Sequence, residues 1–220
     1  MIITIDGPAG SGKSTAAREL AAALEIACLD TGATYRAVTL EAMRRGVDLT
    51  NEDSLAAVAE GIDLRMAPLP SGVQVVLGGV DVSRDIRSAE VSDKSQYAAR
   101  FPKVRTVLVR LQQKLGRQLG SFVTEGRDQG SVVFPDADFK FYLDASPEVR
   151  ARRRFAELQA DGEAVTFESV LQGIVDRDGR DRSRAVAPLI KPAGAIEIDT
   201  SDKDIAGVVT TLLACVRGRQ

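Results

Sequence analysis

Short apolar runs and longer stretches of three- and four-residue periodicity alternate along this chain. Ile2-Ile3-Thr4-Ile5 is an apolar run of strand length, and the alanine-rich stretch Ala16 to Leu24 has helical composition. Ala27-Cys28-Leu29 predicts a second short strand ending at Asp30-Thr31-Gly32, then a helix from about Ala33 to Arg45 that Gly46 stops. Thr50 is a good N-cap for a helix running to about Glu60. From Ile62 to Ser83 the rhythm changes. Leu64-Arg65-Met66, Val73 to Leu77 and Val80-Asp81-Val82 are strand candidates separated by Pro68, Pro70, Gly72 and Gly78-Gly79, which predicts a small antiparallel insertion. After Pro102, Val104, Val107, Leu108, Leu111, Leu115 and Leu119 form one apolar helical stripe, with Arg105 off it and open to a site or to solvent. Ser121 to Gly126 and Phe139 to Leu143 read as strands, the first delivering Glu125, Arg127 and Asp128 to its carboxyl end, the second ended by Asp144. Ser146-Pro147-Glu148 has the cap, N1 proline and first-turn acid of a helix start. Ala195 to Asp199 is a last strand, and Lys203 to Val216 a closing helix.

This order predicts an α/β fold: a parallel sheet of about five strands flanked by helices, interrupted by the small antiparallel sheet. Ligands of such sheets sit at the carboxyl ends of the strands, so the ends carrying Gly7, Asp30, Glu125 to Asp128 and Asp144 are expected to converge. At 220 residues the chain suits one α/β domain with an insertion, or two small domains sharing a site.

Composition narrows the chemistry. The net charge of −2 argues against general nucleic-acid affinity. Histidine is absent, which removes Ser-His hydrolysis, histidine acid–base schemes and histidine-ligated zinc. Phosphoryl transfer survives, because it depends on positioning and cationic stabilisation more than on proton shuttling. Cys28 and Cys215 match no metal spacing and read as buried thiols. No signal-peptide pattern and no apolar run of membrane-spanning length is present, so a cytoplasmic location is expected.

Gly7-Pro8-Ala9-Gly10-Ser11-Gly12-Lys13-Ser14-Thr15 carries G-x-x-x-x-G-K-[ST] between a strand and a helix. Little Cβ bulk lets the backbone N–H groups close on a polyphosphate. The helix starting near Lys13 adds its positive dipole end, Lys13 reaches the β/γ-phosphates, and the Ser14 hydroxyl is suited to Mg²⁺. A nucleoside triphosphate is the expected ligand.

Between Arg150 and Arg184 stand eight arginines and no lysine: Arg150, Arg152, Arg153, Arg154, Arg177, Arg180, Arg182 and Arg184. Helical patterns flank the polar stretch Gln159 to Thr166. A helix–loop–helix of this kind suits a lid over transferring phosphates, the alternative being a solvated, salt-bridged helical pair. Asp176-Arg177-Asp178-Gly179 spells D-x-x-G, but it follows a helix and no N-K-x-D accompanies it, which argues against a GTPase switch.

With these pieces placed, the chain resembles the bacterial-type cytidylate kinase family over nearly its full length. The resemblance rests on Gly7 to Thr15, Asp30-Thr31-Gly32-Ala33-Thr34-Tyr35-Arg36, Pro102 to Arg105, Gly126-Arg127-Asp128 with Val132 to Pro135, and Arg177-Asp178 through Asp181 and Arg184 to Leu189. It implies transfer of the ATP γ-phosphate to CMP or dCMP with Mg²⁺ and no covalent enzyme intermediate. Thr31, Arg36, Arg127 and Arg184 would contact the acceptor phosphate, Arg177 and Asp181 its ribose, and Arg105 and Asp128 its cytosine. Lys13, Arg127, Arg177 and Arg184 would be catalytic. The resemblance further implies a core (1–30, 105–150, 185–220), an acceptor-binding region (31–104) with the inserted sheet at about 62–92, a lid (151–184), and a monomer. Gln129, Ser131, Thr34 and Ser95-Gln96 depart from the family pattern. Kinases of UMP, AMP or a small alcohol, and a P-loop switch without phosphotransfer, are the rival readings.

Overall fold

The structure, a computed structural model, describes residues 1–69 and 72–218. Pro70 therefore lies outside the described residues. Five strands, β1 (Ile2–Asp6), β2 (Ala27–Asp30), β6 (Phe122–Gly126), β7 (Phe139–Asp144) and β8 (Ile196–Asp199), form a parallel sheet in the order β2-β6-β1-β7-β8. β7 lies between β1 and β8, with Ile5 opposite Phe141 and Phe141 opposite Ile196. Three more, β3 (Leu64–Leu69), β4 (Gly72–Leu77) and β5 (Val80–Asp81), form the antiparallel sheet that the sequence predicts. The helices are α1 (Lys13–Ala23), α2 (Thr31–Arg44), α3 (Glu52–Glu60), α4 (Ala89–Arg100), α5 (Pro102–Leu119), α6 (Pro147–Ala160), α7 (Phe167–Arg182) and α8 (Ile205–Arg217).

The chain divides into two compact units, 1–25 with 123–220, and 26–122. In the first, Ile3, Ile5, Phe141 and Leu143 are fully buried strand residues. α6 and α7 pack through Ala151, Leu158, Val170 and Ile174, with Phe155 edge-on to Phe167. In the second, the antiparallel sheet buries Val73, Val75 and Leu77 beneath Ala33, Ala37 and Leu40 of α2. A second cluster joins α2, α3, α4 and α5 through Val38, Leu55, Ala98, Val104 and Leu108.

Several details depart from the sequence reading. Asn51, not Thr50, caps α3: its side chain accepts the Ser54 N–H, while the Thr50 hydroxyl bonds the Asp48 carboxylate. α2 begins at Thr31, two residues early, because Asp30 accepts the Ala33 N–H as N-cap. Pro68, read as a separator, lies within β3, which it tolerates because β3 is an edge strand. α4 was not foreseen; it is mostly polar, and Val91 and Ala98 are its buried apolar residues. Arg105 does not face solvent but is buried at 3% exposure. Cys28 and Cys215 are half-buried and not disulfide-bonded. No helix among the described residues is long and apolar enough to cross a membrane.

Candidate active site

β1 is buried on both faces from Ile3 to Asp6, and Gly7 then turns the chain within contact of β7. At φ 149° a Cβ on Gly7 would lie 2.0 Å from the Leu143 carbonyl oxygen, so no other residue fits. Gly12, at φ 86°, caps α1 through its backbone alone and leaves the first N–H groups of the helix without a side-chain acceptor. Such N–H groups, at the positive end of the helix dipole, favour an anion. Lys13 is buried beneath the loop and donates to the Pro8 carbonyl at 2.6 Å. Burial, reinforced by the charge of Arg127, pulls its pKa down to about 7 against the opposing pull of Glu125.

β6 ends beside this loop. Ser14 donates to Glu125 at 2.9 Å, which places two hard oxygen donors side by side at the start of α1. Beyond Glu125, the turn carrying Arg127 and Asp128 is anchored from below. The fully buried Asp6 carboxylate accepts the Gln129 N–H at 2.8 Å and the Gly130 N–H at 2.7 Å, opening a π-helical turn over Gln129–Val133. Burial outweighs these two bonds and raises the Asp6 pKa to about 6. Gln129 is buried under the turn, where its side-chain oxygen accepts the Thr124 hydroxyl at 3.2 Å.

α7 brings Asp181 to this turn. Asp181 accepts Arg127 Nε at 2.8 Å through one oxygen and Arg184 through the other, so one buried carboxylate joins two of the predicted acceptor arginines. Burial alone would raise the Asp181 pKa, but Arg127, Arg184 and Arg177 outweigh it and hold the pKa below the usual carboxylate value. Arg177, exposed on α7, is shifted down by partial desolvation of its guanidinium and by the neighbouring charge of Arg127. Lys13 feels both Arg127 and Arg177, which ties the phosphate loop and the arginine cluster into one electrostatic site within this unit.

The arginines of this stretch differ in burial and in partners. Arg150 is buried, ion-paired to Asp178 at 2.7 Å, and donates to the Ala145 and Ala9 carbonyls. It is a strut between α6, α7 and the loop, its Nε, Nη1 and Nη2 each holding a protein oxygen. Arg154 pairs with Glu157 on the surface, Arg153 binds the Thr200 carbonyl, and Arg152, Arg180 and Arg182 are exposed. The D-x-x-G lies inside α7.

In the second unit, Asp30 accepts Arg36 at 2.9 Å and Arg87 at 3.3 Å as well as capping α2. Thr31 is buried at the first position of that helix. Arg105 donates to the Ala99 carbonyl at 3.2 Å, and its guanidinium carbon lies 5.7 Å from the centre of the Tyr35 ring. Gln96 is exposed on α4 and bonds Asp93. Asp6 and Gln112 carry no role in the sequence analysis, and Asp178 appears there only as part of longer motifs. Asp6 was marked by a carboxylate closing an otherwise apolar strand, and Gln112 by an amide lying between Leu108 and Leu115 on one helix flank.

A glycine loop joining the central parallel strand to a helix through a buried lysine defines a P-loop nucleotide-binding α/β protein, and the adjoining arginine cluster marks a phosphotransferase. The family model described as cytidylate kinase matches residues 3–218. Proteins named cytidylate kinase from Escherichia coli O1:K1 and from Salmonella paratyphi B are each 44% identical over 216 residues, 98% of this chain and 95% of theirs. The chain belongs to the cytidylate kinase family. The crystal structure of an uncharacterized protein from Eubacterium ventriosum shares the fold, with a TM-score of 0.53 and 14% identity, covering 99% of this chain and 98% of that one.

Proposed function

We propose that this chain transfers the γ-phosphate of ATP to CMP or dCMP, giving ADP with CDP or dCDP. The observation that carries the reading is the joining of Arg127 and Arg184 on Asp181, next to the lysine of the phosphate loop. The loop amides from Gly7 to Thr15 and Lys13 hold the donor phosphates. Arg127, Arg177 and Arg184 neutralise the transferring group and, with Thr31 and Arg36, the acceptor phosphate. Arg177 and Asp181 hold the ribose. An acceptor phosphate is anionic at neutral pH, so in-line attack needs no strong base, which fits a chain without histidine.

Arg105 and Asp128 read the base. Cytosine offers an N4 amino donor to a carboxylate and O2/N3 acceptors to an arginine. Uracil lacks that donor and would leave the buried Asp128 mismatched, a cost that favours cytosine. Mg²⁺ fits Ser14 and Glu125: it is content with one or two protein oxygens beside phosphates and water, and bound there it would neutralise phosphate charge. Glu125 or Asp128 would orient its water. Residues 31–104 serve acceptor binding and 151–184 the lid, in a cytoplasmic monomer without nucleic-acid affinity.

The test is ADP release with ATP and Mg²⁺, comparing CMP, dCMP, UMP, AMP and no acceptor. Turnover favouring CMP and dCMP over UMP, with the preference eroded in Asp128→Ala, is the expected result. A flat profile, or ADP release without acceptor, would sink the assignment.

A further inference from the structure

We infer that Gln112 is a positioning residue for the acceptor, its hydrogen bond to Thr34 setting α5 against the first turn of α2 and so the place of Arg105 relative to Thr31 and Arg36. The inference rests on the acceptor roles proposed above for those three residues.

Gln112 lies seven residues after Arg105, two helical turns with a drift of only about 20°, so both occupy one face of α5. Both meet the start of α2. Arg105 reaches Tyr35, and Gln112 Nε2 donates to Thr34 Oγ1 at 2.9 Å. The Thr34 hydroxyl donates in turn to the Thr31 carbonyl at 2.7 Å. Gln112, Thr34 and the Thr31 carbonyl thus form a directed chain in which each bond polarises the next. It ends on the backbone of the residue placed at the acceptor phosphate.

Packing alone would not select this amide. Gln112 and Thr34 are completely buried, and Gln112 Oε1 has no hydrogen-bond partner. An acceptor desolvated without a partner is unfavourable, whereas an unbranched apolar side chain of the same shape would incur no such cost. Leu108 and Leu115, four residues before and three after, offer an apolar surround that methionine would suit. A buried polar group held against the preference of its surroundings is characteristic of a functional constraint. Here the constraint is the α2–α5 register. A shift of roughly an ångström in a binding group costs rate or affinity steeply.

The test compares wild type, Gln112→Met, Thr34→Val and Thr34→Ser by melting temperature, kcat, and KM for CMP and for ATP. Gln112→Met is expected to melt at or above the wild-type temperature while KM for CMP rises about tenfold, the loss of about one good contact. KM for ATP should stay within about twofold, well below that tenfold step. Thr34→Val should show the same split, and Thr34→Ser, which keeps the hydroxyl, should restore KM for CMP. A folded Gln112→Met with unchanged KM for CMP, a lower melting temperature without a KM split, or a joint rise of both KM values would each overturn the positioning role. If Gln112→Met does not fold, the contrast between Thr34→Val and Thr34→Ser decides the matter. Wild type lacking any preference for CMP would instead overturn the acceptor reading itself, and the inference with it.

Discussion

Asp6 holds the backbone N–H of Gln129 at 2.8 Å, tying the last residue of β1 to the turn that follows Asp128. Its second oxygen takes the next N–H, so the residues flanking the phosphate loop and those presenting Arg127 and Asp128 share one buried carboxylate.

Asp6→Asn is expected to destabilise the fold by about 2 kcal/mol, because an amide accepts only one of the two N–H groups and turns a donor on the other. The pH dependence has a definite sign. The Asp6 pKa is raised to about 6, so its contribution becomes more favourable as pH falls from about 6 toward 4, by at most about 3 kcal/mol. The stability gap between wild type and Asp6→Asn, measured by denaturant titration, should therefore widen on acidification. A constant gap from pH 7 to pH 4 would contradict the assignment.

Lys13, lowered to about 7, is largely neutral at pH 8 without nucleotide. A bound triphosphate stabilises its ammonium form. Calorimetry in buffers of different ionisation enthalpy should show uptake of close to one proton on ATP binding at pH 8 and little at pH 6. The uptake should vanish in Lys13→Met. The same shift makes the lysine's own contribution to stability rise between pH 7 and about 10.5, where the unfolded chain binds the proton that the folded chain releases.

Asp181→Ala removes the carboxylate that separates Arg127, Arg177 and Arg184. A loss of about 3 kcal/mol in stability is expected from the uncompensated buried charge, together with at least a tenfold rise in KM for CMP. In the wild type the depressed Asp181 pKa contributes stability above the unfolded carboxylate value near 3.8, and that contribution is lost as the pH falls through its lower folded value. Acid unfolding of Asp181→Ala should accordingly lack this component. Denaturant midpoints from pH 2 to pH 6 would show it.

Arg150→Met should destabilise by about 3 kcal/mol, by stranding Asp178 in the interior, while Arg152→Ala should change little. Equal effects of the two substitutions would return the α6 arginines to a single solvated surface.

The order of elements apart from α4, the phosphate loop, the antiparallel insertion and the arginine-rich stretch from Arg150 to Arg184 were legible in the residues themselves. Each rests on local physics: apolar runs with a period of two or none, caps at helix starts, glycine where φ is positive, and a lysine and a hydroxyl next to them. Family membership followed from the same stretches, since binding a polyphosphate and a small acceptor demands those residue types at those spacings.

What only the tertiary structure decided is which charges are paired. Eight arginines between Arg150 and Arg184 look alike in sequence, yet Arg150 is a buried strut on Asp178 while Arg184 joins Arg127 on Asp181. Asp6 and Gln112 read as ordinary polar residues until Gln129 and Thr34, more than seventy positions away, complete their hydrogen bonds. A side chain's chemistry is set by burial and by partners brought together from distant parts of the chain. Local sequence sets the helix and the strand, and long-range packing sets the charge.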